Sequence, residues 1–175
     1  MKFTENEHKN STKPIYFLTI IISLFVCLFI KIFILDFVKI SGNSMETTFH
    51  DGQIVAVSKI LYGIVKPFTS EFIVQWKTPR VNDIVIFLHG DKMLIKRCIA
   101  TEKVPLEYIE DYEYYLKVEN NQIPINETQF TFLKQYDKVS DNCIFVLGDN
   151  FRESIDSRDF GFISTKNVIG KVLCK

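Results

Sequence analysis

Residues Met93–Ala100 read MLIKRCIA, and how this stretch is read decides what kind of domain surrounds it. It is rich in branched and apolar residues and follows a Gly-Asp turn, which marks a β-strand. Side chains on a strand alternate between faces. Lys96 therefore shares one face with Leu94 and Cys98, and Arg97 shares the other with Ile95 and Ile99. A lysine on an apolar face is out of place, because burying an ammonium is costly. Two readings stay open on this stretch alone: an edge-strand lysine that blocks aggregation, or a functional amine.

The same texture extends outward. Gln53–Lys59 (QIVAVSK), Asp83–Leu88 (DIVIFL), Ile144–Leu147 (IFVL) and Val168–Leu173 (VIGKVL) are Val-, Ile- and Phe-rich runs bounded by Asn, Asp, Gly or Pro, and each predicts a strand. Pro67, Pro79, Pro105 and Pro124 fall between such runs or at their edges, where a missing N–H costs least. The more acidic and aromatic segment Leu106–Phe132 predicts a hairpin, YYLKV and IPIN around an NNQ turn. It reads as a small β insertion within residues 101–142, too short to bury a core of its own.

Upstream the chain changes character. Ile15–Leu35 (IYFLTIIISLFVCLFIKIFIL) is about 21 residues with one charge, Lys31, and matches the ~30 Å hydrocarbon thickness of a bilayer. Lys31 lies near one end, where its stem can snorkel to the headgroups. A cleaved secretory signal is the rival reading, but the run exceeds the usual h-region and no A-x-A site follows. Residues 1–14 form a polar tail, and Lys2, Lys9 and Lys13 favour a cytoplasmic N-terminus. The expected organisation is tail 1–14, transmembrane anchor 15–35 and a mostly β domain over 36–175 on the far side of the membrane.

The totals exclude several classes. The 21 basic and 21 acidic residues balance, with no basic stripe, so no nucleic-acid partner is expected. Cys27, Cys98, Cys143 and Cys174 include no CxxC pair and no nearby His, so no metal or other cofactor is expected. A disulfide would join two of Cys98, Cys143 and Cys174, with the pairing open. The 16 Phe and seven Tyr suit strands and a membrane-facing surface. Phe68–Trp76 (FTSEFIVQW) could dip into the interface, or Phe72 and Val74 could pack in a core strand.

Two further stretches bear on Lys96. Ser41–Phe49 (SGNSMETTF) follows the apolar span and places Ser44 in a turn, where an ordinary turn serine is the first expectation. Gly148–Gly161 (GDNFRESIDSRDFG) follows a strand and concentrates small polar groups, as a hydrogen-bonded turn or a loop supporting a site would. SGNSM, then IKR roughly fifty residues later, then GDNxxxSxDSRxxG, all behind an apolar span, resemble the type I signal peptidase family over about Asp36–Lys175. These are membrane-bound Ser–Lys endopeptidases that remove signal peptides from exported proteins.

The resemblance implies a β-rich Ser–Lys peptidase domain behind a single N-terminal transmembrane helix, on the outer face of the plasma (inner) membrane. It makes Ser44 the nucleophile and Lys96 the general base. Ser154 matches the serine that orients the lysine, Asp156 and Arg158 a structural ion pair, and Met45 the methionine after the nucleophile, a candidate pocket wall. Asp149 is expected to pair with Arg97. Gly42 stands where some members carry an oxyanion-binding Ser, so the Ser44 N–H would carry the oxyanion hole. The expected partners are signal peptides with small residues at −1 and −3, and membrane lipid.

The chemistry agrees: a serine hydroxyl needs a base, and a lysine, ordinarily titrating near ~10.4, can serve once desolvation makes its neutral form favourable by about 3–4 kcal/mol. Departures from the family pattern are Thr47, where Pro is frequent, TEKVP in place of an LPGD turn, and Phe151 after GDN. Two rival functions remain, a self-cleaving soluble Ser–Lys protease and an inactive anchored β-module. His50 is the one histidine near Ser44 in sequence.

Overall fold

The computed structural model describes residues 13–66 and 71–173. The first element is a helix, α1 (Lys13–Phe33), with Pro14 in its first turn, where the missing N–H breaks no helical bond. Side chains 14–31 are all exposed. A helix this long and apolar that buries nothing in its own protein is long enough to cross a bilayer.

The helix stops two residues short of the span expected from sequence: Leu35 opens strand β1 (Leu35–Lys39) instead. Asp36 and Lys59 explain the early stop. Lys59 pairs with Asp36 at 2.7 Å and also donates to the Lys31 carbonyl. A cation thus sits at the negative end of the helix, and the helix enters the sheet without a linker.

The remaining strands are β2 (Ile54–Ser58), β3 (Gly63–Val65), β4 (Phe72–Gln75), β5 (Ile84–His89), β6 (Lys92–Ala100), β7 (Leu106–Glu110), β8 (Tyr114–Val118) and β9 (Asn121–Ile125). After helix α2 (Glu127–Leu133) come β10 (Cys143–Leu147), helix α3 (Ser157–Phe160), β11 (Ile163–Ser164) and β12 (Val168–Val172). Seven strands form the main sheet in the order β1-β2-β12-β5-β6-β10-β11, with all neighbours antiparallel. All five runs expected to be strands are strands, and the fold is mostly β.

The insertion is a three-stranded meander, β7-β8-β9, with Pro124 on its edge strand, plus α2. Its turn is Glu119–Asn120 rather than NNQ, because Val118 pairs with Asn121 and Glu119 takes φ 52°. Helix α2 is started by a capping box between Asn126 and Gln129. Leu116, Val118, Leu133, Phe145 and Leu147 share one buried cluster, so the insertion and β10 form a continuous core.

Two more clusters lie on the main sheet. Met45, Phe49, Val55 and Ile86 pack beneath the Ser44 turn, while Tyr62, Val85, Phe87, Cys98 and Val146 pack on the face that carries Lys96. Cys98 and Cys143 are free thiols. Cys174, the tail through residue 12 and Phe68–Ser70 lie outside the described residues. In β4, Ile73 and Val74 are exposed and Phe72 is half-buried, paired only with the short β3.

Candidate active site

Ser44 lies in a single helix-like turn. Glu46 N–H donates to Asn43 O, and Thr48 and Phe49 N–H to Met45 O at 3.0 and 2.8 Å. Met45 and Phe49, 1% and 0% exposed, anchor this turn in the core and leave Ser44 at its rim. Gly42 takes φ +86°, a conformation that favours glycine, and its N–H donates to Asp51 Oδ1 at 2.8 Å. Among the described residues nothing accepts the Ser44 N–H. Thr47 takes φ 85°, which a proline ring forbids, so this turn as folded here does not admit the family's frequent Pro.

Lys96 comes from the middle of β6 and is 3% exposed. Its Nζ donates to Ser154 Oγ at 3.0 Å, and among the described residues no carboxylate touches it directly. Burial pushes its pKa down; the more distant charges of Asp156 and Asp149 oppose that shift and Arg158 adds to it. Ser44 and Lys96 line one cleft of about 210 Å³ together with Val38, Ile40, Met45, Ile86, Leu94 and Ile95.

The loop after β10 is held from both ends. Arg158 forks onto Asp156, Nε to Oδ1 at 2.9 Å and an Nη to Oδ2 at 3.0 Å, with Asp156 0% exposed. Asp156 Oδ2 also accepts the Gly148 N–H, and Ser157 Oγ accepts the Val146 N–H. Charge is thus buried with its partners in place, which fixes the loop's shape. Arg97, on the opposite face of β6 from Lys96, forks onto Asp149 with two 2.8 Å bonds.

Several contributors escaped the sequence reading. Thr48 Oγ1 donates to Asp149 Oδ2 at 2.5 Å and accepts from Arg97 at 3.1 Å, so one hydroxyl ties the Ser44 turn, the Lys96 strand and the loop. Nothing in the sequence marks Thr48. Asn150 N–H donates to the Ser44 carbonyl at 3.1 Å and its side chain to Asn43 O. Gly148 is legible as the first residue of GDN. A Cβ there would clash with Ser154 and lie 2.5 Å from the Ser44 carbonyl oxygen, so only glycine lets the loop approach both.

Among the described residues no histidine lines the cleft. His50, 2.9 Å from Glu46, is on the surface, and His89 stacks on Phe160. Among the described residues no cluster of three or more His, Cys, Asp or Glu could hold a metal.

A β-domain with a serine turn and a buried, carboxylate-free lysine at one cleft is the equipment of a hydrolase of the serine class. Comparison with known proteins gives the family. Residues 14–175 match the family model described as "Signal peptidase, peptidase S26". Signal peptidase I of Bacillus caldolyticus is 33% identical over 141 residues, covering 76% of this chain and 74% of that one. Signal peptidase I V of Bacillus subtilis (strain 168) is 29% identical over 174 residues, covering 91% and 96%. A solved signal peptidase I from Enterococcus faecalis V583 is 27% identical and covers 55% of this chain and 97% of its own, with a TM-score of 0.39. The chain belongs to the type I signal peptidase family, and is a serine peptidase.

Proposed function

We propose that this protein is a membrane-anchored endopeptidase that removes signal peptides from exported preproteins, with Ser44 as nucleophile and neutral Lys96 as general base. The observation that carries the reading is the setting of Lys96. It is 3% exposed, its only direct polar partner among the described residues is the hydroxyl of Ser154, and it shares a cleft with Ser44. Burial without a carboxylate favours the free amine, the form able to accept a proton.

In this mechanism Lys96 Nζ takes the Ser44 hydroxyl proton as Oγ attacks the scissile carbonyl carbon. The Ser44 N–H, unengaged among the described residues, faces the oxyanion. The Lys96 ammonium then protonates the departing amine, the amide C–N bond breaks, and the mature chain leaves. Water, deprotonated by the same amine, attacks the acyl-enzyme; the ester C–O bond breaks, the Lys96 ammonium returns its proton to Ser44 Oγ, and the signal peptide leaves as a carboxylate. Ser154 holds one Nζ–H and so aims the amine's lone pair. Asp156, Arg158, Asp149 and Arg97 keep the loop and the nucleophile turn in register.

The apolar span 15–35, most of it in helix α1, is the anchor, with tail 1–14 in the cytoplasm and the 36–175 domain, including its 101–142 insertion, outside the inner membrane. Direct entry of α1 into β1 supports this, since it holds the cleft near the bilayer where a signal peptide's cleavage site emerges. The partners are signal peptides and lipid, not nucleic acid. A 210 Å³ cleft walled by Val38, Ile40, Met45 and Ile86 beside its polar groups suits small side chains before the cut. The test is incubation of the purified protein with a signal-bearing preprotein. Cleavage that Ser44→Ala abolishes supports the reading; no cleavage, or cleavage that survives Ser44→Ala, refutes it.

A further inference from the structure

A second and larger cavity is lined by Ser154, the hydrogen-bond partner of Lys96. It is a groove of about 780 Å³ between the insertion and the loop after β10, walled by Tyr112, Tyr114 and Ile125 on one side and by Phe151, Arg152 and Ile155 on the other. Ser154 lines this groove, while Lys96, the partner of its hydroxyl, lines the small apolar cleft. The hydrogen-bonded pair Lys96–Ser154 is thus a wall that the groove shares with the cleft of the candidate nucleophile.

The groove's walls are built and exposed. Gln129 at the start of α2 donates to Asp159 at 2.7 Å and ties the insertion to the loop. The Arg158 guanidinium lies 5.4 Å from the Phe151 ring and braces it from behind. Above this support Tyr112 is 100% exposed, Ile155 71% and Phe151 42%. Such large apolar side chains held out to solvent around a concavity mark a binding surface. Glu113 and Asp159 balance Arg152 and Arg158, so the lining has no dominant sign. Aromatic, aliphatic and mixed polar groups together suit an extended polypeptide of variable sequence.

We propose that this groove binds the first residues of the mature protein, the segment that follows the scissile bond. The inference rests on the signal-peptide reading above and extends it. A chain whose signal side fills the cleft at Ser44 continues beyond Lys96, and the groove is the nearby concavity, one hydrogen-bonded residue away through Ser154. Its volume is in the range that holds a drug-sized ligand, which corresponds to a few residues of extended chain. The insertion is then part of substrate recognition: it grips the half of the preprotein that differs from one exported protein to the next.

The test uses the purified full-length protein and two peptides with the same signal side. One ends a single residue after the cut; the other continues for about eight residues of mature sequence. The long peptide is expected to show a kcat/KM about tenfold higher, a typical hot-spot contribution. In the doubly substituted Tyr112→Ala/Ile155→Ser protein that advantage shrinks to within about twofold. Both side chains are exposed, so the fold is not at risk, and an unchanged Tm checks this. Lys117→Ala, on the same insertion but outside the groove, keeps the full advantage. Equal cleavage of the two peptides by the unmodified protein overturns the groove and leaves the signal-peptide reading standing. An advantage that survives the double substitution also overturns it. Failure to cut either peptide brings down both.

Discussion

Lys96 and Lys171 flank Val85 in one row across the main sheet, since Val85 pairs with Lys96 on β6 and with Lys171 on β12. Directly opposed residues share a face, so the two amines stand on the same side roughly 10 Å apart at the backbone. Their partners differ. Lys171 meets the carboxylate of Asp83, which also accepts from the Tyr62 hydroxyl and the Arg80 N–H. Burial raises the Asp83 pKa, but bonds from Lys171, Arg80 and Tyr62 outweigh it and hold the carboxyl below its ordinary value. Lys96 meets a hydroxyl, and burial drives it toward the neutral amine. One strand's separation thus divides a structural ammonium from a candidate base. The lesson is that the immediate partner, rather than the strand face, assigns a lysine its role.

The largest effect should separate the two lysines in catalysis. Lys96→Ala and Lys96→Arg should each lower cleavage by about 10⁴-fold or more, since one variant lacks an amine and the other holds its proton at any usable pH. Lys171→Met should keep cleavage per folded molecule near that of the unmodified protein. Side-by-side preprotein assays check this, with His50→Ala as a third arm. Substantial activity in either Lys96 variant, with loss in His50→Ala, would favour a Ser–His site.

Removing the neutral partner comes next. Ser154→Ala leaves Lys96 buried without its acceptor and should lower kcat by about 10²-fold, a typical range for one positioned proton-transfer partner. Unlike a merely structural change, it should also shift the pH dependence of the rate. A loss that leaves the pH profile in place would deny Ser154 its orienting role.

Stability should divide the two lysines with opposite signs. The Lys96 pKa is lower in the fold than in the unfolded chain. The unfolded state therefore binds more protons between the folded value and ~10.4, and stability rises with pH across that window. Below it the burial penalty acts in full, so Lys96→Met should raise Tm by about 2–4 °C at neutral pH. Lys171→Met strips the ammonium from Asp83 and should lower Tm by about 2–6 °C. The depressed Asp83 pKa adds stability above about pH 4 that fades as pH falls through its folded value, and Lys171→Met should flatten that acid limb. Thermal melts over pH 3–10 would check both. The smallest effect belongs to Thr47, whose φ of 85° strains a β-branched residue. Thr47→Gly should relieve about 1 kcal/mol of it, read as a small rise in Tm.

The strands around the site were legible because their Val, Ile and Phe runs are long and sharply bounded; β3 and β11, of three and two residues, carry too little pattern. Strand β1 was hidden because LDFVK continues the apolar helix without a break, and only pairing of Leu35 with Ser58 turns it into a strand. Ser44, Lys96 and Ser154 could be singled out as candidates because each lies in an ordered local motif. Thr48 was not, because its role comes from Arg97 and Asp149, about fifty and a hundred residues away, and no local spacing encodes such a contact. The groove beside Ser154 was invisible for the same reason: its walls come from three separated stretches of chain.

The pH dependence of kcat/KM for a signal-bearing peptide tests the Lys96 assignment most directly, because it reads the free enzyme's base. If neutral Lys96 is that base, the rate rises with pH through a single ionisation well below the ordinary lysine value of ~10.4 and then levels off. Ser154→Ala displaces that ionisation, and Lys171→Met leaves it where it is. A rate that climbs without a plateau up to ~10.4, or the same limb persisting in residual cleavage by Lys96→Arg, would contradict the assignment.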